Sequence, residues 1–162
     1  MDEQRERRFV EAVQEKRKAL WRVAYSILKS DADAEDAVSA AVENTWRHLH
    51  HLRSLDALPV YLMKSTVNAA KSEWRRRKRT MFTENFDLYL PPAEVKNGDI
   101  TDYVDALDEK YRLPIFLKYS ENLLETEIAQ VLGLPRGTVS SRVSRGLDIL
   151  RREMSKEDTR HD

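Results

Sequence analysis

Apolar positions recur with a helical period along most of the chain, and the expected fold is all-α, without β-sheet. Between Met1 and Leu28, the residues Phe9, Val13, Leu20, Val23, Ala24 and Ile27 fall on one face among charges. Ser30 to Asp33 should break that helix. The next opens on an acidic first turn, Asp33, Glu35 and Asp36, which suits the positive end of a helix dipole. Its apolar stripe is Val38, Val42, Trp46 and Leu49. His50 to Pro59 is mixed in polarity and reads as a loop. Helical period returns at Val60 in YLMKSTVNAAKSEWRRRKR, where Leu62, Thr66, Ala69, Ala70 and Glu73 alternate with Lys64, Asn68, Lys71, Arg75 and Arg76.

Period is then lost from Thr80 to Thr101, a stretch punctuated by Pro91-Pro92 and Asn97-Gly98 with scattered Phe82, Phe86, Leu88 and Tyr89. That composition describes a linker. Two small helical domains are therefore expected, residues 1–79 and 102–154, joined by a linker over 80–101 and followed by a frayed tail, 155–162. The second domain begins with Tyr103, Val104 and Leu107, runs through Leu113 to Tyr119, and ends in LLETEIAQVLGLPRGTVSSRVSRGLDIL.

This last stretch dictates a helix-turn-helix. Ala129, Gly133 and Val139 stand at offsets of four and then six. The first is small because a second helix crosses it, the second takes a turn that a side chain would obstruct, and the third plugs the space between the helices. Ile128, Leu132 and Leu134 add apolar contacts. Pro135 suits a first helical position, and Asn122 with Glu125 reads as a capping box for the first helix. Along the second helix Val139, Val143, Leu147 and Leu150 form one buried stripe. The opposite face carries Arg136, Thr138, Ser140, Ser141, Arg142, Ser144, Arg145 and Asp148. Arginines can bridge guanine edges or clamp phosphates, and short hydroxyls let a helix approach the groove floor. An amphipathic helix with a solvated basic face would not require the small residue, the glycine and the plug at these offsets.

The 162 residues are 41% hydrophobic, enough for one modest core or two small ones. With no cysteine, disulfides and thiolate metal sites are excluded and a reducing cytoplasm is compatible. No apolar run approaches membrane-spanning length and the first residues are charged, so a soluble intracellular protein is expected. Net charge is zero, but its distribution is uneven: six of the nine residues from Lys71 to Arg79 are basic, while Glu94 to Glu109 holds six acids against Lys96. Phosphate binding follows the local patch. A basic helix bearing Tyr61, Asn68, Lys71, Ser72, Trp74, Arg75 and Arg76 can hold a sugar-phosphate backbone while aromatics stack on unpaired bases. A solvated charge run with its aromatics in the core is the competing reading of that helix. His48, His50 and His51 offer neither a cysteine nor a carboxylate pattern to complete a zinc set, and they read as a polar helix end.

LDEKYRLPIFLKY followed by EIAQVLGLPRGTVSSRVSRGLDILRREM resembles the promoter-binding C-terminal domain of the extracytoplasmic-function sigma factors of bacterial RNA polymerase. LWRVAYSILKSDADAEDAVSAAVENTWRHL is similar to their polymerase-binding helices, and YLMKSTVNAAKSEWRRRKR to the helix that meets the melted minus-10 element. The resemblance spans about Phe9 to Met154 except the linker. It implies a factor that binds core RNA polymerase and promoter DNA and commonly pairs with an anti-sigma factor; the sequence offers no nucleophile-base pair, phosphate-cradling glycine loop or metal cluster, so a non-enzyme without cofactor or metal is expected. Glu35, Asp36, Val38, Ser39, Val42, Glu43 and Trp46 would meet polymerase. The minus-35 duplex would be read by Arg136, Thr138, Ser140, Ser141, Arg142, Ser144 and Arg145. The basic helix would capture the non-template minus-10 strand, with a flipped base against His50 to Leu58 and the neighbourhood of Asn68.

Ser39 stands where the family usually has Gln, Tyr61 where it usually has Trp, and Leu124 replaces a hydroxyl residue common before the first helix of the turn motif. Two other readings of the chain stand beside this one. A stand-alone helix-turn-helix regulator would bind a palindrome as a dimer, leaving the basic and acidic helices without a role. A sigma-like adaptor would hold polymerase or an anti-sigma factor without melting DNA.

Overall fold

The computed structural model describes residues 2–84 and 100–160, and among them every regular element is helical. Helix α1 (Glu3–Leu28) starts at Asp2, whose carboxylate accepts from the Gln4 N–H. It ends at Lys29, left-handed at φ 54°. Ser30 then caps α2 (Asp31–His48) by accepting from the Asp33 N–H, so the break is only two residues long. The expected loop at 50–59 is more ordered than its polarity suggests. It folds as two 3-10 turns, Leu49–His51 and Leu55–Ala57, and α3 (Leu58–Glu84) already begins at Leu58. Pro59 is tolerated there because the first turn of a helix has no intrahelical acceptor for its N–H.

The chain divides into two compact units, the first built on α1 to α3 and the second on α4 to α7. In the first unit all three helices pack against one another around Leu20, Val23, Ala24, Ala34, Ala41, Leu49, Leu62, Val67 and Ala70. Alanines at 34, 37 and 41 are the reason α2 can approach closely, since a small side chain lets the helix backbones draw together. Buried Thr45 and Thr66 each return a hydroxyl hydrogen bond to the carbonyl four residues back, 2.8 Å in both cases. Neither of these hydroxyls is thereby left unpaired. The face of α2 turned inward is Ala34, Ala37, Val38, Ala41 and Thr45, not the expected line from Val38 to Trp46. Trp46 lies at its rim, 39% exposed, with its ring 5.2 Å from that of Phe9 on α1.

Helix α3 continues to Glu84, five residues past the expected end of the first domain. The prolines, the Asn-Gly pair and Phe86, Leu88 and Tyr89 of the expected linker lie outside the described residues. In the second unit, α4 (Ile100–Ala106) and α5 (Glu109–Ile115) precede a π-helical turn over Phe116–Ser120, then α6 (Glu125–Leu132) and α7 (Arg136–Arg160). Pro114 inside α5 withholds a helix N–H, and the widened turn follows at once. Tyr103, Leu107, Ile115 and Leu150 form a core to which Val104, Tyr111, Leu147 and Ile149 add. The expected frayed tail is helical as far as Arg160. A Lys156–Glu153 pair at 3.1 Å and the Thr159 hydroxyl on the Ser155 carbonyl at 2.8 Å support that last stretch.

Candidate nucleic-acid and partner interface

The turn motif of the second unit has the geometry its glycine demands. Gly133 closes α6 in the left-handed region at φ 65°, its N–H bonded to the Ala129 carbonyl, and Leu134 N–H reaches the same carbonyl at 3.0 Å. This is a left-handed helix cap that costs glycine nothing. Ile128 and Val139 are fully buried and Val143 nearly so. Pro135 sits one residue before the helix rather than inside it, its carbonyl accepting from Thr138 and Val139 at 3.0 and 3.2 Å.

The capping box differs from the one expected. Asn122 is left-handed at φ 55° and belongs to the preceding turn, while Leu124 is the cap residue. Glu127 reaches back to the Leu124 N–H at 2.9 Å, so only the carboxylate half of a box exists, as leucine has no side-chain acceptor.

On α7 the exposed residues are Arg136, Ser140, Ser141, Ser144, Arg145 and Asp148, with Thr138 and Arg142 half-buried. The face has two edges. On one, Ser140 lies near Glu125 of α6, whose carboxylate takes the Lys118 ammonium at 3.0 Å and feels Arg136. The Lys118 contact holds Glu125 below its usual range, with Ser140 and Arg136 adding to the effect, and Lys118 is raised in return. On the other edge, Thr138, Ser141, Arg142 and Arg145 line a cleft of about 380 Å³ shared with Lys110 and Tyr111 of α5. Sequence reasoning misses Lys110 and Tyr111, because nothing local places α5 beside α7.

Gly146 sets that approach. A Cβ there would stand 3.2 Å from Tyr111 Cβ and closer still to the Ile115 side chain, so the glycine lets α5 rest on α7.

In the first unit a groove of about 440 Å³ runs between α2 and α3. It brings Tyr61, Asn68 and Ser72 together with Lys64 and Ser65 and, across from them, Ala40 and Asn44 of α2. The Asn44 amide donates to the Ser65 hydroxyl at 3.3 Å. Exposed Arg75 continues this line along α3. Half-buried Lys71 stands at its side. Trp74 does not join it: at 3.6 residues per turn it lies roughly 120° around the helix from Asn68. It is 40% exposed and carries the Lys78 ammonium 4.8 Å over its ring. The reading that buries the aromatics of this helix in the core therefore fails for Trp74.

Arg76 is not the free cation that the sequence suggests. Its guanidinium meets the Glu73 carboxylate at 2.6 and 3.0 Å. This pairing holds Glu73 below its ordinary range and raises Arg76. Arg77 ties the helix to the other two, through Asp33 of α2 and the Leu28 carbonyl of α1 at 3.3 Å.

Glu35, Asp36, Ser39 and Glu43 are exposed on α2, Trp46 lies at the rim and Val42 is half-buried. Val38 is the correction: at 4% exposure it belongs to the three-helix core and cannot touch a partner. Two of the carboxylates are already paired, Glu35 with Arg17 at 3.9 Å and Glu43 with Arg47. His50 and His51 stand 4.1 Å apart between ring centres. The turn that carries them is held from α1 by Arg5, which donates to the flanking Leu49 and Leu52 carbonyls at 3.0 and 3.1 Å. Arg8 pairs with Asp56 at 3.2 Å. Sequence reasoning misses both arginines, since their partners lie more than forty residues away.

Comparison with known proteins matches both units. Residues 12–80 match the family described as Sigma-70 region 2, and residues 98–150 that described as Sigma-70, region 4. The chain is 30% identical over 162 residues to an RNA polymerase sigma-E factor of Streptomyces antibioticus, covering 93% of this chain and 86% of that one. It is 27% identical over 153 residues to the RNA polymerase sigma factor SigV of Bacillus subtilis, covering 92% of each. Among solved structures it is similar, at a TM-score of 0.75 and 23% identity, to the sigma factor RpoE of Bartonella quintana in complex with the anti-sigma factor NepR, over 91% of this chain and 96% of that one.

Proposed function

The chain belongs to the sigma-70 family of RNA polymerase sigma factors, in its extracytoplasmic-function class, and from that membership we propose that it joins core RNA polymerase and directs transcription initiation at a specific set of promoters. One observation carries the reading: a single chain holds both a helix-turn-helix with a polar, basic outer face and a separate helical unit whose groove gathers Tyr61, Asn68 and Ser72. A duplex-reading regulator uses only the first. Region 2 and region 4 matches in one chain account for both.

In this reading α7 enters the major groove of the minus-35 element, with its serines close to base edges and its arginines on bases or phosphates. The groove of the first unit takes the non-template minus-10 strand, where Asn68 offers amide hydrogen bonds, Tyr61 a stacking ring, and Lys64 and Arg75 charge to the backbone. The exposed strip of Glu35, Asp36 and Glu43, with Ser39 among them, meets polymerase. The chain makes and breaks no bond; bond chemistry is left to the polymerase. A cytoplasmic location is supported by the polymerase partnership, and no helix among the described residues is long and apolar enough to cross a membrane. An anti-sigma partner is supported by the Bartonella quintana neighbour, which was solved with one.

Run-off transcription with purified core polymerase tests the reading. Initiation from a defined start site, dependent on added protein, is expected. Polymerase binding without initiation would favour a sigma-like adaptor, and dimeric binding to a palindrome without polymerase a stand-alone regulator.

A further inference from the structure

Residues 49–57 join α2 to α3, the two walls of the groove that gathers Tyr61, Asn68 and Ser72. Leu49 before the bend and Leu58 after it are buried, at 0% and 1% exposure, but no residue from 50 to 57 is. Apolar packing therefore does not fix the shape of this connection, and polar ties must. Two of them reach it from α1. The Arg5 Nη1 donates to the Leu49 carbonyl at 3.0 Å and to the Leu52 carbonyl at 3.1 Å. The Leu52 N–H itself closes on the Leu49 carbonyl at 3.4 Å, so the guanidinium spans both ends of the first 3-10 turn. One helical turn along α1, Arg8 meets Asp56 at 3.2 Å, but Asp56 is 91% exposed and solvent screens that pair.

Arg5 is half-buried, and its bonds are charge-assisted, which makes it the stronger tie. It also answers a need of α2. The last carbonyls of a helix have no intrahelical donor, and a cation is favoured at the negative end of the helix dipole. Tyr61 stands in the first turn of α3, facing Ala40 and Asn44 of α2 across the groove. Where α3 begins sets how far that ring stands from the α2 wall. We infer that Arg5 is a positioning residue for capture of the minus-10 strand: by pinning the 49–57 turn from α1 it fixes the start of α3 and the placement of Tyr61. It acts through the turn and not by gripping the strand. This inference rests on the proposed reading of the groove as the site of that strand. Releasing the turn lowers the fraction of molecules with a competent groove, and apparent affinity falls by the same fraction.

The test uses holoenzyme reconstituted with core polymerase, below the melting transition of every variant. One probe is a labelled single-stranded minus-10 oligonucleotide, titrated across a salt series; the other is a duplex carrying only the minus-35 element. Arg5→Met is expected to weaken strand binding about tenfold, with the wild-type salt slope and unchanged binding of the minus-35 duplex. In a Tyr61→Ala background the same substitution should cost little more, since the ring it places is gone. Unchanged strand affinity in Arg5→Met overturns the inference. A slope reduced by about 0.7 would overturn it too and make Arg5 a direct phosphate contact. Equal losses on strand and minus-35 duplex, or full additivity with Tyr61→Ala, would reduce Arg5 to a support of the fold in general. If Arg5→Met does not fold, Arg5→Gln is read by the same criteria. An unaltered holoenzyme that binds no minus-10 strand would sink the inference together with the functional reading.

Discussion

The Lys118 ammonium stands 3.0 Å from the Glu125 carboxylate, and Ser140 of α7 lies near the same carboxylate. The ion pair thus ties α6 to the turn before it, at one edge of the polar face of α7. Glu125 is depressed below its ordinary value, chiefly by the Lys118 hydrogen bond. A depressed carboxylate contributes stability that is present above its unfolded pKa and fades as pH falls through its lower folded value. Lys118 is raised, so its share is present below its unfolded pKa and is lost as pH rises through the folded one. Wild type should therefore exceed Glu125→Gln in melting temperature across the neutral range. The gap should close in acid below the carboxylate range and again in strong alkali. A gap independent of pH would show that the charge pair does not act.

Gly146 and Gly137 lie on the same helix but should respond in opposite directions. Gly146→Val drives methyl groups into Tyr111 and Ile115 and is expected to cost about 1–3 kcal/mol by overpacking. Gly137→Ala meets open space and should stabilise by about 0.4–1 kcal/mol, by reducing the freedom of the unfolded chain. Denaturant unfolding of both variants checks the pair of signs.

Glu73 restrains the basic helix. Because its carboxylate occupies Arg76, a phosphate must displace it before Arg76 can bind. Glu73→Gln should tighten promoter binding at low salt and steepen the salt slope by up to about one unit. Arg76→Ala should weaken binding to all promoters alike. A slope unaltered by Glu73→Gln would mean that Arg76 stays away from DNA.

On α2, exposed Glu35 and buried Val38 should respond to substitution in opposite ways. Glu35→Lys should weaken capture of core polymerase while leaving the melting temperature near wild type, since the side chain is exposed. Val38→Ala should do the reverse, losing about 2 kcal/mol of stability from two buried methyl groups and the space they leave. Equal polymerase capture by wild type and Glu35→Lys would move the interface elsewhere.

Features decided within a few residues of one another are legible in the chain itself. The turn at Gly133 and the plug at Val139 follow from the backbone conformation one glycine permits and from spacing along two adjoining helices. All-helical folding follows from the period of apolar positions. Those same positions cannot say which neighbour each will meet. Val38 and Trp46 share one apparent stripe, yet α1 and α3 cover the first and leave the second at the rim. Linear order likewise hides Arg5 on the Leu49 and Leu52 carbonyls and Lys110 beside Arg142. Amphipathic period determines that a helix has an inside, because burying its apolar side is favourable whatever covers it. Only tertiary packing decides which side chains from distant segments converge, because that depends on where close fit allows the helices to touch, as Gly146 allows α5 to settle on α7.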